Sequence, residues 1–204
     1  IIVVKKAPVD KFEIIRSKTL PHNTFRIYGK SVDDIICSIE LNAPQIIKII
    51  HDAEIEKIQD DNSTSLLNKA IIKNKFHINI QIPTGYEYML HKKKFIWLKK
   101  EIISGNTSIL LYQVPISSIE NKNSKTSNII KMRDSIGKLY IHGKELNTDM
   151  ITEEAYAPYF SNIVLDDKEA YETKGTWELK NDFMSGPFIN YAIVDKENDR
   201  ILIL

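Results

Sequence analysis

The sequence has a single cysteine, Cys37, in 204 residues, and this scarcity excludes two kinds of site. No intrachain disulfide can form, and no thiolate cluster can hold a metal ion. The apolar neighbours Ile35, Ile36 and Ile39 favour a buried, inert thiol over a reactive one. We therefore expect neither disulfide stabilisation nor cysteine catalysis.

Long apolar runs and an excess of one charge are also missing. No run approaches the ~20 residues of a membrane span, and no charged-then-apolar signal opens the chain. With 28 basic and 27 acidic side chains, the formal charge of +1 creates no long-range field for nucleic acid. We interpret the lysines at 92–94, beside Phe95 and Trp97, as a solvated strand edge and expect no nucleic-acid partner.

The two chain ends lie inside apolar strand-like runs, residues 1–4 and 201–204. Natural domains rarely start and stop in the middle of a strand. We therefore expect the sequence to be a fragment of a longer protein, in which any anchor or signal lies outside these residues.

Short strand-like and helix-like periods alternate along the chain, which predicts an α+β fold. We expect mostly antiparallel sheets covered by helices, as one compact unit over residues 1–204. The clearest predicted strand is 76–82, where apolar and polar residues alternate. Ser31 is the predicted cap of a helix that ends at Pro44. Further strands and helices are expected in these ranges: strands 1–5, 12–16, 24–28, 95–101, 108–114, 171–179 and 188–194; helices 52–73 and 128–136.

Two tryptophan-containing hairpins resemble each other. Trp97 precedes Ser104-Gly105 at nearly the spacing at which Trp177 precedes Ser185-Gly186, and each hairpin follows a helix. This similarity predicts an internal duplication of a helix-plus-hairpin unit, with pseudo-repeats over residues 44–115 and 124–204.

Turn-forming residues mark the positions where the backbone is most restricted. Pro44 and Gly85 punctuate the first half of the chain. Near the end, Gly186 can reach positive φ and Pro187 cannot donate to a strand ladder. We therefore predict a turn or bulge at 185–187, with Phe188 directed between the hairpin and a covering helix.

Several short motifs follow one another in the order of a known family. They are Ala43-Pro44-Gln45, Pro83-x-Gly85-Tyr86, Phe95-x-Trp97, Arg133-Asp134, Gly143, Met150-x-Thr152-Glu153, Gly175-x-Trp177 and Phe183-Met184-Ser185-Gly186-Pro187-Phe188. From about Ala43 onward the chain resembles a Bacteroidetes family of predicted lipoproteins, domain of unknown function 4837. That family usually has two glycines before Pro-Phe, and Ser185 replaces the first. The resemblance implies a lipid-anchored, periplasm-facing protein of the cell envelope that continues past Leu204, and it implies no activity.

Candidate functional residues are few. His51 and Glu54 share a helical face but have no further ligand in a usable arrangement, so we expect no metal and no cofactor. The aromatic side chains of both hairpins are candidates for a ligand groove, although core packing explains them as well. These candidates are Trp97, Tyr112, Trp177 and Tyr191.

The sequence favours a non-catalytic domain that binds or scaffolds, with another envelope protein or an envelope polymer as partner. The alternative is a hydrolase with a site between the two halves. An enzyme should have a concave pocket with convergent polar groups and shifted pKa values, whereas a scaffold should have a flat apolar patch.

Overall fold

The computed structural model of the protein describes residues 1–16, 23–120, 124–153 and 155–204. These residues separate into two compact units, one of residues 1–66 with 81–83 and the other of residues 67–80 with 84–204. The expectation that residues 1–204 form one compact unit stays a prediction.

The first unit is a three-stranded sheet with one long helix. The order in the sheet is β1-β3-β2, with β1 parallel and β2 antiparallel to β3. Phe25 and Ile27 of β3 are buried with Ile46 of the helix, and together they form the core of this unit. The elements are β1 (Ile2–Lys6), β2 (Lys11–Ile15), β3 (Thr24–Gly29) and α1 (Val32–Ser63).

Helix α1 begins at the predicted cap but does not end at Pro44. The Ser31 hydroxyl accepts from the Asp34 backbone N–H, and the Asp34 carboxylate accepts from the Ser31 N–H. Pro44 lies inside the helix and removes one backbone hydrogen bond. Ile46 and Ile49 nevertheless pack on the core of this unit, so burial after the proline holds the helix together. The prediction of a helix end at Pro44 is therefore wrong.

Cys37 lies on the exposed side of α1. Its apolar neighbours suggested burial, but Ile36 and Ile39 are themselves exposed. The prediction of a buried thiol is therefore wrong, because an apolar helical run does not reveal which of its residues face the sheet.

The second unit contains an eight-stranded antiparallel sheet and two helices. The strand order is β4-β5-β6-β11-β10-β9-β7, and β8 pairs with the same edge of β9 as β7. The elements are α2 (Ala70–Phe76), β4 (Glu87–Lys92), β5 (Phe95–Ile102), β6 (Gly105–Pro115), α3 (Lys125–Tyr140), β7 (Met150–Thr152), β8 (Tyr159–Leu165), β9 (Lys168–Leu179), β10 (Ser185–Asp195) and β11 (Arg200–Ile203). The predicted α+β fold with mostly antiparallel sheets is confirmed.

The segment 76–82 is not the strand that its alternation predicts. Phe76 ends α2, and His77 caps the helix in the left-handed conformation with φ of 55°. Ile82 is buried while Ile78 and Ile80 are half-buried, so the alternation does report burial. Among the described residues the segment has no ladder partner, and the nearby bridge joins Leu66 to Pro83, just after it. Alternation shows which side chains are buried and not which strand pairs with them.

Helix α3 covers one face of the large sheet. Ile129 of α3 is fully buried, and Met132 and Ile136 pack on the same core. The sheet contributes buried side chains from β5, β6, β9, β10 and β11 to this core, and every second residue of each strand faces the helix. They are Phe95, Tyr112, Tyr171, Ala192, Val194, Ile201 and Ile203.

A buried ion pair fixes the short strand β11 between its neighbours. Arg200 Nε donates to Asp195 Oδ2 over 2.7 Å. The same guanidinium donates to Gln113 Oε1 of β6 over 2.6 Å and to the Phe76 carbonyl oxygen over 2.7 Å. One side chain thus connects β10, β11, β6 and the end of α2.

The predicted internal duplication is not confirmed. Trp97 lies in the first half of β5 opposite Leu110, whereas Trp177 lies near the end of β9 opposite Gly186. Their similar spacing to Ser-Gly therefore does not place the two rings at equivalent positions of the two hairpins. Both side chains are half-buried.

We expect Gly137→Ala to destabilise the protein. A Cβ at this position in α3 would lie 2.3 Å from the Met150 carbonyl oxygen in β7, which is backbone and cannot rotate away. Alanine normally stabilises a helix relative to glycine by about 1 kcal/mol, but overpacking costs about 1–3 kcal/mol. Urea unfolding should show a net loss, with exposed Ser135→Ala as control. Equal or higher stability of Gly137→Ala would contradict the close packing of α3 on β7.

The Asp195–Arg200 pair predicts how stability depends on pH. Burial alone would raise the pKa of Asp195, but the hydrogen bonds from Arg200 and Asn198 outweigh it and lower the pKa below 3.8. The contribution to stability is therefore complete above the unfolded pKa and is lost as the pH falls through the folded pKa.

Asp195→Asn should lower the unfolding free energy at pH 7 by about 3–5 kcal/mol, because it leaves Arg200 buried without its anion. The variant should also lose less stability than the native protein between pH 5 and pH 2 (about the range of carboxylate titration). Glu101→Gln, in the exposed Lys99–Glu101 pair, is the control. Parallel pH curves for the native and Asp195→Asn proteins would disprove this role.

Candidate functional site

Motif residues from three distant parts of the sequence meet where α3 packs on the large sheet. Arg133 Nη1 donates to Thr152 Oγ1 over 3.0 Å, and the Arg133 guanidinium lies 3.8 Å from the centre of the Phe188 ring. Asp134 Oδ1 accepts from the Thr152 N–H at 2.8 Å and from its hydroxyl at 2.7 Å. We call Arg133, Asp134, Thr152 and Phe188 the Arg133 cluster, and it joins α3, β7 and β10.

Two glycines allow aromatic rings to lie close to the strands of this region. A Cβ at Gly175 would lie 2.9 Å from Phe188 Cε1, and a Cβ at Gly186 would lie 3.1 Å from Trp177 Nε1. Gly186 does not have positive φ. The glycine is therefore needed for close approach of the ring and not for the left-handed backbone that the sequence suggested.

Pro187 lies in a strand and not in the predicted turn. The hairpin turn lies before Ser185, and β10 already pairs with β9 at Ser185 and Pro187. Tyr191 exchanges both of its backbone hydrogen bonds with Leu204, on the side of β10 away from β9. The direction of the backbone N–H alternates along a strand, so position 187 faces the same side as Tyr191, away from β9. The N–H that proline lacks is therefore one that would not point to β9. The β9 ladder therefore loses nothing at Pro187.

The Arg133 cluster is surrounded by buried polar atoms without partners. Tyr112 Oη, Thr173 Oγ1 and Asn190 Nδ2 make no hydrogen bond within the described part of the chain. Burial raises the pKa of Tyr112, and the Asp134 charge raises it further against the opposing effect of Arg133. Burial also lowers the pKa of Arg133, which Asp134 partly restores. Tyr112 beside the cluster is therefore a neutral phenol, and Arg133 and Asp134 are both hydrogen-bonded to Thr152.

The four candidate groove aromatics do not line one surface. Tyr112 is only 3% exposed and belongs to the core under α3. Trp97 and Trp177 pack on that side of the sheet, and Trp97 Nε1 donates to Ser108 Oγ over 3.0 Å. Tyr191 lies on the opposite face, since its neighbour Ala192 faces the core. Three of the side chains therefore lie on the α3 side of the sheet and Tyr191 lies on the other, so the four form no shared groove.

The remaining predicted structural residues lie apart from the cluster. Gly85 has φ of 94°, a conformation that strongly favours glycine, in the turn before β4. Pro44 is exposed within α1. His51 and Glu54 are exposed on the same helix. In the described ranges no group of three or more His, Cys, Asp or Glu residues is placed to hold a metal ion.

The second unit has two open depressions. One, of about 400 Å³, lies along α3 beside Lys131, Met132 and Ser135. The other, of about 500 Å³, lies at the end of α2 beside Lys73 and His77. Neither lining contains a carboxylate, so no acid–base pair is assembled in them. Among the helices of the described residues, none is long and apolar enough to cross a membrane.

Strand β11 is shorter than its two neighbours. It pairs with the last part of each, residues 112–115 of β6 and 192–195 of β10.

Exposed apolar side chains lie on β10 and in the turn before it. Ile189 is 48% exposed, and Met184 and Phe183 are exposed in the turn. Exposed apolar side chains of this kind are candidates for contact with a partner.

We expect Arg133→Met to destabilise the protein by about 2–4 kcal/mol. A charge-assisted hydrogen bond contributes about 1.5–3 kcal/mol, and the contact with Phe188 adds up to about 2 kcal/mol. The control is Lys131→Met, at an exposed position of the same helix. It should change the unfolding free energy by less than about 0.5 kcal/mol. Urea unfolding checks both variants. Equal effects of the two substitutions would mean that the Arg133 cluster does not hold α3 on the sheet.

Comparison with known proteins gives one result. No curated protein and no solved structure matched the chain. The family described as "Domain of unknown function (DUF4837)" matches residues 65–204, which include the Arg133 cluster but not Ala43-Pro44-Gln45. The chain therefore belongs to the DUF4837 family.

Proposed function

We propose that this chain is a non-catalytic binding domain of the bacterial cell envelope that docks another envelope protein. Its place is the periplasmic side of a lipid-anchored protein from Bacteroidetes, of which these residues are a part. The location is supported by the resemblance of the sequence motifs, from Phe95-x-Trp97 to Gly186-Pro187-Phe188, to a family of predicted lipoproteins.

Exposed apolar side chains on β10 and in the turn before it carry the binding role. Phe183 is fully exposed, and Met184 and Ile189 are about half-exposed. Phenylalanine and methionine are enriched in protein–protein interfaces, because burying them there removes apolar surface from water. An exposed apolar surface of this kind suits a protein partner better than a small polar substrate.

No specific observation favours the hydrolase alternative. His142 Nδ1 contacts Asp149 Oδ1 at 3.1 Å, but the two residues also bridge as neighbouring backbone segments and the His142 side chain is half-exposed. This pair therefore connects the two ends of the turn that follows α3. The polar residues of the Arg133 cluster are occupied in joining α3 to β7.

Site-specific photocrosslinking in the native host tests the proposal. A photoreactive residue at position 189, which is exposed on β10, should capture a discrete envelope protein. The same residue at position 139, which is exposed on α3, should capture far less. Cell fractionation should recover the protein with the envelope. Equal crosslinking from both positions, or recovery in the cytoplasmic fraction, would contradict the proposed function.

A further inference from the structure

We propose that one end of the large sheet contacts a phospholipid bilayer through three apolar loop tips, Ile103, Leu146 and Phe183. These are the three most exposed large apolar side chains among the described residues, with relative exposures of 110%, 91% and 106%. Single exposed apolar side chains are common, but several at one place mark a contact with a partner or a membrane. The inference goes beyond the proposed function, because it assigns the tips to lipid and leaves Ile189 to the partner protein.

The register of the sheet places two of the tips at the same end. Strands β6 and β10 both pair antiparallel with β11, so they run in the same direction. Ile203 of β11 pairs with both Tyr112 and Ala192, whose numbers differ by 80. The first residues of β6 and β10, numbers 105 and 185, also differ by 80. The turns that precede the two strands, which carry Ile103 and Phe183, therefore lie at the same level along the strands.

Hydrogen bonds hold the third tip beside the turn that precedes β10. The Lys180 N–H donates to the Asp149 carbonyl oxygen over 2.9 Å. Asn181 Nδ2 donates to the Asn147 carbonyl oxygen over 3.1 Å. The loop that carries Leu146 is therefore tied to this turn. Because the loops are already ordered, little conformational entropy is lost when the tips are immobilised on a surface.

The charges beside the tips are balanced in sign. Within four positions of a tip the sequence has four basic and four acidic residues: Lys99, Lys100, Lys144 and Lys180, and Glu101, Glu145, Asp149 and Asp182. A zwitterionic headgroup offers a phosphate to lysine and a cationic group to a carboxylate, so this balance suits neutral phospholipids. No net attraction to an anionic surface is expected, and binding should therefore depend little on salt.

Ile189 lies outside the inferred lipid contact. Interfacial elements bury their apolar side chains about 5–10 Å deep at the boundary between headgroups and acyl chains. Ile189 is four residues beyond the first residue of β10, which is about 14 Å along an extended strand. A partner protein can therefore dock at Ile189 while the tips contact the bilayer.

Cosedimentation of this chain with vesicles tests the inference. The vesicles contain equal parts of phosphatidylethanolamine and phosphatidylcholine. The three tip side chains have about as many carbon atoms as one myristoyl chain, whose membrane affinity is about 10⁴ M⁻¹, so binding should be half complete at about 0.1–1 mM lipid. Replacing part of the phosphatidylcholine with phosphatidylglycerol, or raising the salt concentration, should change the binding by less than about twofold.

Matched substitutions identify the residues that contact lipid. Phe183→Ser and Ile103→Ser should each weaken vesicle binding about tenfold, because each removes an apolar side chain from the contact. Val164→Ser is the control and should leave binding unchanged, since Val164 is exposed but lies opposite Glu169, at the far end of β9. Absence of binding at millimolar lipid, an equal loss in Val164→Ser, or binding that requires phosphatidylglycerol and low salt would overturn the proposal.

A fluorescent reporter tests the orientation without altering a tip. In a Cys37→Ser background, a polarity-sensitive dye is attached through Ser104→Cys, beside Ile103, or through Ile189→Cys. Vesicles should shift the emission to shorter wavelength at position 104 and not at position 189. Equal shifts at the two positions would overturn the proposal.

Photocrosslinking distinguishes a lipid contact from a protein contact at the tips. Crosslinks from position 103 to a protein, without vesicle binding, would overturn the lipid contact and leave the proposed function intact. Vesicle binding through the tips, without any envelope crosslink from position 189, would support the lipid contact and reject the proposed function.

Discussion

Strand β11 is the element on which the large sheet depends. It contains four residues, yet the sheet passes from β6 to β10 only through it. Arg200 holds it there by hydrogen bonds to Asp195, Gln113 and the Phe76 carbonyl, and each of these partners belongs to a different part of the unit. Without β11 the sheet would separate into two parts, one of β4, β5 and β6 and the other of β7, β8, β9 and β10.

Local periodicity predicted the elements of this fold better than their ends or their partners. The antiparallel hairpin of β5 and β6 and the cap at Ser31 follow directly from the sequence. Alternation over 76–82 reported burial correctly but not pairing, since ladder partners depend on residues far away in the chain. Pro44 did not end α1, because burial of Ile46 outweighs one lost hydrogen bond.

The candidate site was predictable only in its residues and not in its arrangement. The motifs contained Arg133, Thr152 and Phe188, but their contacts join two strands and a helix and leave no short-range pattern. The sequence marked Gly186 as a position that needs glycine, but it suggested positive φ as the reason. The actual reason is the close approach of the Trp177 ring, which depends on the register of β9 and β10.

Amide hydrogen exchange, read residue by residue, tests the role of β11 most directly. Leu202 and Ile203 pair with the two neighbouring strands, so their amides should exchange slowly in the native protein. Arg200→Met removes the side-chain hydrogen bonds that hold the strand in place, so exchange along β11 should become faster by more than exchange in the β5–β6 ladder. Exchange along β11 that is as slow in Arg200→Met as in the native protein would contradict the account.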